Sequence, residues 1–581
     1  MPAIKLIGFS GEQPRIIPRM LPDTASQAAI NTRLDDGGLT PMRRPVQVDT
    51  VPSKTAKTIY RKNGAWLAWE SVVDAAPGPV AEDRLYFTGD GVPKVMIGTT
   101  TYPLAVPFPA NALVAAVSGT STSDIVTRTY VYTYVTSFDE ESEPSPASVP
   151  VDWRPGQTMT LSGFAAPPAG TRVNRRRIYR SQSGKSGTFF YFIAEQPATA
   201  ANFVDAVAVD AFQEPLPSIN YNAPPNDLKG LIALPNGIMA AFAGRKVYFS
   251  VPYRPHAWPE KYVMTVDYPV VGLGAIGSSM VIMTTGTPYF VSGSTPDSMQ
   301  QVKIEQNLPC INARGIVDLG MAIVYPSNEG LVAVRADGSI SLISQQLFSR
   351  DDWLALSPAT FISGQISGRY IAFYETTDTD GALQFGSIFI DIAGTPFLIR
   401  SSTRVTSVFF EIGSGALYFL QHGSNNIYRF DSPDGMRETM YWRSKRFVLP
   451  YPENFGAILI DADSALSGEE LKNQEAARTG MIARNNAAIA AGSIGGDVNS
   501  LPLNSVAVAG DILEILPRQY GTINVGVFAD GKKVAQVSRT NKVCRLPPGF
   551  KARTWEIDVS GDIEITQIVM GKTVADIQQT A

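Results

Sequence analysis

Residues 84–95 read RLYFTGDGVPKV. An acid bracketed by glycines, set between two apolar bursts, suits a phosphate cradle, a metal ligand or a strand reversal. Recurrence decides among them. Asp-Gly closes strand-like runs at Asp90-Gly91, Asp337-Gly338, Asp380-Gly381, Asp434-Gly435 and Asp530-Gly531. Glycine takes positive φ at little cost and aspartate tolerates it, so the pair suits a tight hairpin. A ligand loop would not recur with strands on both sides each time. Asp90-Gly91 is therefore read as a turn, and the chain as a succession of hairpins.

Composition agrees. Of 581 residues, 44% are hydrophobic, enough for large cores and against a disordered chain, and the length predicts more than one domain. The 42 prolines and 49 glycines punctuate short strands. A net charge of −4 argues against nucleic-acid binding driven by general basic charge. It does not exclude a protein past which DNA moves without sticking. Cys310 and Cys544 give neither zinc spacing nor a disulfide framework, and reduced core thiols are expected. The start, MPAIKLIGFSGEQPRIIPRM, reads as neither signal peptide nor membrane anchor, and no later run is long and apolar enough for a bilayer helix. Folding in cytoplasm is expected.

Residues 1–57 are proline-rich and aperiodic, with a turn at Asp36-Gly37, and are expected as an extended N-terminal arm. Strand bursts such as KTIYR and AWLAWE begin at Thr58. Proline-rich hinges at 102–110 and 214–225 bracket a unit at 111–218 of the usual size for a small β-sandwich. Within it Tyr130, Tyr132 and Tyr134 alternate with Val131, Thr133 and Val135, a period-two strand with an acidic, proline-capped exit. The unit reads as a fibronectin-III-like sandwich inserted between 58–110 and 219–450. Those two segments together read as an irregular β-propeller, since strand–turn–strand spacing continues to about 450 without a fixed-period motif. Residues 451–581 read as a C-terminal β domain interrupted by a helix near 467–492. Ser467 and Glu470 form a capping box, Gly492 is the stop, and Leu471, Ile482 and Ile489 make a narrow apolar stripe. Gly480 costs about 1 kcal/mol relative to alanine, so this helix needs a neighbour.

Chemistry is hard to find. His256 and His422 are the only histidines, each alone among aromatic and turn residues, and both read as structural. Gly184-Lys185-Ser186 invites a phosphate-loop reading, but the motif wants a glycine where Tyr179 stands, and the stretch leads into a strand. TDTDGA, 377–382, lacks the early acid and late glutamate of a calcium loop. Asp351-Asp352 could serve a glycosidase, though adjacent acids on a polar loop are usually solvated. The strongest basic cluster is Arg172, Arg175, Arg176, Arg177 and Arg180. On a strand it splits between two faces. The default is a solvated or neighbour-pairing edge; the alternative is a site for phosphate or an acidic partner. No catalytic, cofactor or metal-binding residue is assigned.

Six stretches occur in a familiar order: NTRLDDGGLTPMRRP, RLYFTGDGVPKV, RRRIYRSQSG, LPNGIMAAFAGRKVYFSVPYRPHAWP, YWRSKRFVLPYPENFGA and RLPPGFKARTWEIDVSGDIEITQIVMG. Together, from near 5 to near 575, they resemble the tail nozzle proteins of short-tailed bacteriophages, the tail tubular protein B group. The resemblance implies a structural virion protein, not an enzyme, forming a hexameric ring below portal and adaptor. That ring retains packaged DNA and conducts it during ejection without specific binding. It also implies tail fibres or spikes as neighbours, a place in the virion tail after assembly in the host cytoplasm, and no cofactor. The alternative is a polysaccharide-binding or depolymerising propeller with an accessory sandwich. An enzyme of that kind should gather acids of raised pKa in a cleft.

Overall fold

The computed structural model describes residues 4–580 apart from 185–186, 209–210, 212, 378–379, 393, 464–467, 491–520 and 550. Strands hold 48% of the residues and helices 8%, so the chain is mainly β, as its hairpin chemistry predicts. It divides into two units. One is 69–328 with 333–341; the other is 1–68 with 329–332 and 342–581.

In the first unit the opening stretch becomes strand Arg84–Thr88, a turn, and strand Lys94–Ile97, with Phe87 paired to Lys94. Gly91 sits at φ +79°, where a side chain would be strained, and Asp90 holds Lys94 at 2.5 Å. Gly338, Gly381 and Gly531 adopt the same left-handed geometry. Asp434-Gly435 does not. Gly435 has no positive φ; a Cβ there would lie 2.1 Å from the Arg44 carbonyl oxygen, so this glycine serves close backbone approach.

Four-stranded antiparallel meanders recur in this unit. They run from Asp74–Pro77 to Thr100–Pro103, from Lys229–Leu234 to Val263–Thr265, and from Val270–Ile276 to Gln300–Lys303. The first strand of each packs on the first strand of the next, and Val270–Ile276 packs in turn on Val317–Asp318. Small residues permit this approach: a Cβ on Gly274 would lie 2.8 Å from Ile323 Cγ2. Apolar side chains fill the spaces between sheets, with Tyr86, Leu231, Met239 and Trp258 in one core and Phe249, Leu273, Ile282 and Val291 in another.

Residues 111–218 lie within this unit. Two three-stranded sheets, Val114–Ser118/Thr158–Ser162/Phe203–Asp205 and Tyr130–Thr136/Val173–Gly184/Gly187–Pro197, share a core. Tyr130, Tyr132 and Tyr134 enter that core, and the intervening Val131, Thr133 and Val135 are buried as well. The acidic, proline-rich exit at 139–150 folds back along the strand. Ser142, Ser145 and Ser148 each donate their backbone N–H to the carbonyls of Tyr134, Tyr132 and Tyr130. Their hydroxyls accept the N–H groups of the same tyrosines at 3.0, 3.2 and 2.9 Å. A three-residue serine spacing thus occupies the edge of a strand whose side chains repeat every two residues, removing a pairing edge.

The second unit contains a meander from Ile362–Ile366 to Leu398–Ser401, and strands Val405–Glu411, Ala416–Gln421 and Asn426–Arg429 completed by Val46–Thr50. First strands again pack together: Ile362–Ile366 on Val405–Glu411, and Val405–Glu411 on Thr58–Lys62. The expected arm is instead woven into sheets. Ile4–Ile7 pairs Glu564–Gly571, Ser26–Ile30 lies between Leu398–Ser401 and Met440–Ser444, and Asp36-Gly37 turns between the paired Thr32–Arg33 and Thr40–Pro41. The C-terminal strands bury Trp442, Phe455, Trp555 and Ile568.

Helix Gly468–Ala490 falls where expected, but its proposed caps Ser467 and Gly492 lie outside the described residues. Of its apolar stripe, the Leu471 side chain lies outside the described residues, and Ile482 and Ile489 are 37% and 54% exposed within this chain, whereas Met481 is buried.

Candidate functional site

The basic cluster is the first place to look. Val173–Gly184 is the central strand of its sheet, not an edge, flanked by Tyr130–Thr136 and Gly187–Pro197. Alternation sends Arg176 and Arg180 inward and Arg175 and Arg177 outward, and Arg172 is buried just before the strand.

Each inward guanidinium has a partner. Arg180 reaches Asp205 Oδ2 at 2.9 Å and the carbonyls of Val207 and Ala208 at 2.8 Å each. Asp205 also receives Arg128 at 3.1 Å and the Tyr130 hydroxyl at 2.8 Å, and Arg128 lies 3.4 Å over the Trp153 ring. Arg176 lies 3.6 Å over Phe164 and donates to the Ala198 and Ala200 carbonyls; burial pushes its pKa down. Arg172 meets Glu140 at 2.5 Å and the Leu104 carbonyl at 3.0 Å.

The outward pair is neutralised too. Arg175 and Arg177 each hold Glu195 at 2.9 Å; Arg175 adds Asp139 at 2.5 Å and Arg177 adds Glu141 at 3.0 Å. Burial pushes the Glu195 carboxyl up, but hydrogen bonds from Arg177 and Arg175 outweigh it and hold the group below its usual range. All five arginines are committed to neighbours, as the default reading expected, but on a central strand and not on an edge. Asp139, Glu140 and Glu141 were in view in the sequence as the acidic exit; Glu195 and Asp205, which lie on other strands, were not, nor was the pairing of any of them with the arginines.

His256 is buried, donates Nε2–H to the Glu141 carbonyl at 3.1 Å and meets the Tyr221 ring edge-on. Burial pushes its pKa down to about 4, so it is neutral near pH 7. Cys310 is buried and its thiol is pushed up to about 12; both cysteines are free. Asp351 and Asp352 open the short helix Arg350–Ala355, where the Ser349 hydroxyl donates to Asp352 at 2.6 Å and caps the turn. Of the phosphate-loop stretch, Lys185 and Ser186 lie outside the described residues, as do 378–379 of TDTDGA. Among the described residues no three or more His, Cys, Asp or Glu side chains gather as a metal site.

His422 borders a cleft of about 540 Å³ in the second unit. Its walls come from the Leu383–Ile390 strand, the 402–404 turn, the ends of Ala416–Gln421 and Asn426–Arg429, and the chain at Arg44 and Glu438. Arg404 is clamped by Glu375 through two hydrogen bonds of 2.6 and 3.0 Å, and its guanidinium carbon lies 5.5 Å from the centre of the Phe385 ring. Burial raises the Glu438 pKa, opposed by the charge of Arg44. No sequence motif marks this cleft, because its residues come from chain segments almost four hundred positions apart.

No family model matches the chain, and no curated protein does. Among solved structures it has a likeness to the N-terminal domain of Nup159, at 10% identity and a TM-score of 0.24, over 42% of this chain and 67% of that one. A likeness at that score carries no argument about fold or function.

Proposed function

We propose that the chain is a tail nozzle subunit of a short-tailed bacteriophage. In this reading its meanders close as an irregular β-propeller, residues 111–218 are a fibronectin-III-like sandwich, and six copies form a ring below portal and adaptor. DNA passes through the ring without being held. The proposal rests first on the ordered stretches that resemble the nozzle group.

The structural observation that carries it is the commitment of Arg172, Arg175, Arg176, Arg177 and Arg180 to carboxylates, carbonyls and aromatic rings within the chain. Phosphate contacts by arginine release counterions and bind duplex tightly; each would add friction in a conduit. A chain that has consumed its densest basic cluster internally suits a surface that DNA must slide past. A conduit of identical chains further needs a head-to-tail contact whose rotation closes. The test is electron microscopy of the purified protein with and without its adaptor, alongside a reducing-sugar assay on host polysaccharide. Closed rings and no sugar release are expected; persistent monomers with polysaccharide cleavage would replace this reading with the depolymerase one.

A further inference from the structure

We propose that the cleft between Phe385, Arg404, His422 and Arg44 binds an acidic oligosaccharide. The inference does not depend on the conduit reading.

The cleft's volume, about 540 Å³, lies in the range of small-molecule sites. Its platform is Phe385, an aromatic ring left 44% exposed beside an arginine that is already fixed. Arg404 donates Nε–H and Nη2–H to the two Glu375 oxygens, so the charge beside the ring is held before any ligand arrives. A pyranose presents an apolar C–H face, which such a ring can take. It also presents hydroxyls that need donors and acceptors in one plane. Gln421, His422 and Glu438 line the walls and supply both kinds.

The charge pattern selects the ligand further. Arg44 is exposed, and its guanidinium makes no hydrogen bond or ion pair among the described residues, leaving a free fork for one carboxylate. Glu375 already neutralises Arg404, and Glu438 is the carboxylate that lines the cleft with Arg44. One free guanidinium in a cleft that also carries one acid suits a singly charged sugar acid better than a phosphate dianion.

The test uses the full chain, isothermal titration calorimetry, and two probes: the trisaccharide of galacturonate and the matching neutral galactose trisaccharide. The wild type should bind the acidic sugar with a Kd near or below about 1 mM, and the neutral one at least about fivefold more weakly. Arg44→Gln should weaken the acidic sugar about tenfold and abolish the preference, while Phe385→Ala should weaken both sugars about tenfold. Both positions are exposed, so circular dichroism should be unchanged in either variant. Absence of binding of the acidic sugar at about 10 mM, equal binding of both sugars by the wild type, or wild-type binding by either variant would overturn the assignment. Ring formation is scored separately, so failure here leaves the conduit reading untouched.

Discussion

Asp205→Ala should unlatch the 111–218 sheets. The carboxylate is fully buried between Arg128 and Arg180, whose side chains are 2% and 4% exposed, and it also accepts from Tyr130 and from the Val207 backbone N–H. Alanine strands two guanidiniums and a phenol together. Breaking a buried pair by removing one partner costs about 3–5 kcal/mol. Here Arg128 keeps its Trp153 ring and Arg180 keeps two carbonyls, so the lower half of that range is expected. Hydrogen exchange read by mass spectrometry on peptides covering 126–136 and 173–184 should show opening rise by about two to three decades, at ~1.4 kcal/mol per decade. Asp152→Ala is the control, because that carboxylate is exposed and among the described residues meets only the Thr127 hydroxyl, so exchange should change little. A rise of less than about tenfold for Asp205→Ala would refute the view that this carboxylate holds the sheets together.

Glu556 is buried and receives Arg446 at 2.7 Å, Arg443 at 2.7 and 3.0 Å, and Gln27 at 3.0 Å; burial raises its pKa, but these bonds outweigh it and hold the group below the usual value of 4.5. Its stabilisation is therefore full above the unfolded value and is lost as pH falls through the folded one, so urea titrations should show wild type losing stability below about pH 4.5 more steeply than Glu556→Gln. Gly274→Ala places a methyl 2.8 Å from Ile323 and should cost about 1–3 kcal/mol in chemical denaturation; a neutral result would show that the neighbouring sheet yields freely. Met481→Asp should lower the melting temperature, whereas Ile482→Asp, at an exposed position, should change folding by no more than about 0.5 kcal/mol and act, if anywhere, on ring assembly measured by light scattering.

What was legible in the sequence was local. Asp90-Gly91, Asp337-Gly338, Asp380-Gly381 and Asp530-Gly531 carry their turn chemistry in two residues, and the structure places each between strands. Asp434-Gly435 looks identical in sequence, but its geometry is set by the distant Arg44 carbonyl. The arginine strand failed as an edge for the same reason. Alternation predicted two faces, but Asp205, Glu195 and the 139–141 acids come from other elements, and only the fold brings them to the arginines. The serine spacing 142, 145, 148 was a usable signal: three hydroxyls at a fixed interval after a strand can cap its edge. The cleft offered none, since Arg44 and Glu438 are brought together by long-range backbone hydrogen bonds, Arg44 N–H to the Met436 carbonyl and Glu438 N–H to the Met42 carbonyl, that no local pattern announces.

The central claim is a ring that passes DNA without holding it. The most direct measurement is an electron cryomicroscopy reconstruction of the chain assembled with its adaptor, with duplex titrated onto the same particles at low salt. The account predicts a closed cyclic ring, the Val173–Gly184 strand away from the bore, and no salt-sensitive retention of DNA. A bore lined by Arg175 and Arg177, or tight duplex binding that fades as salt rises, would contradict it.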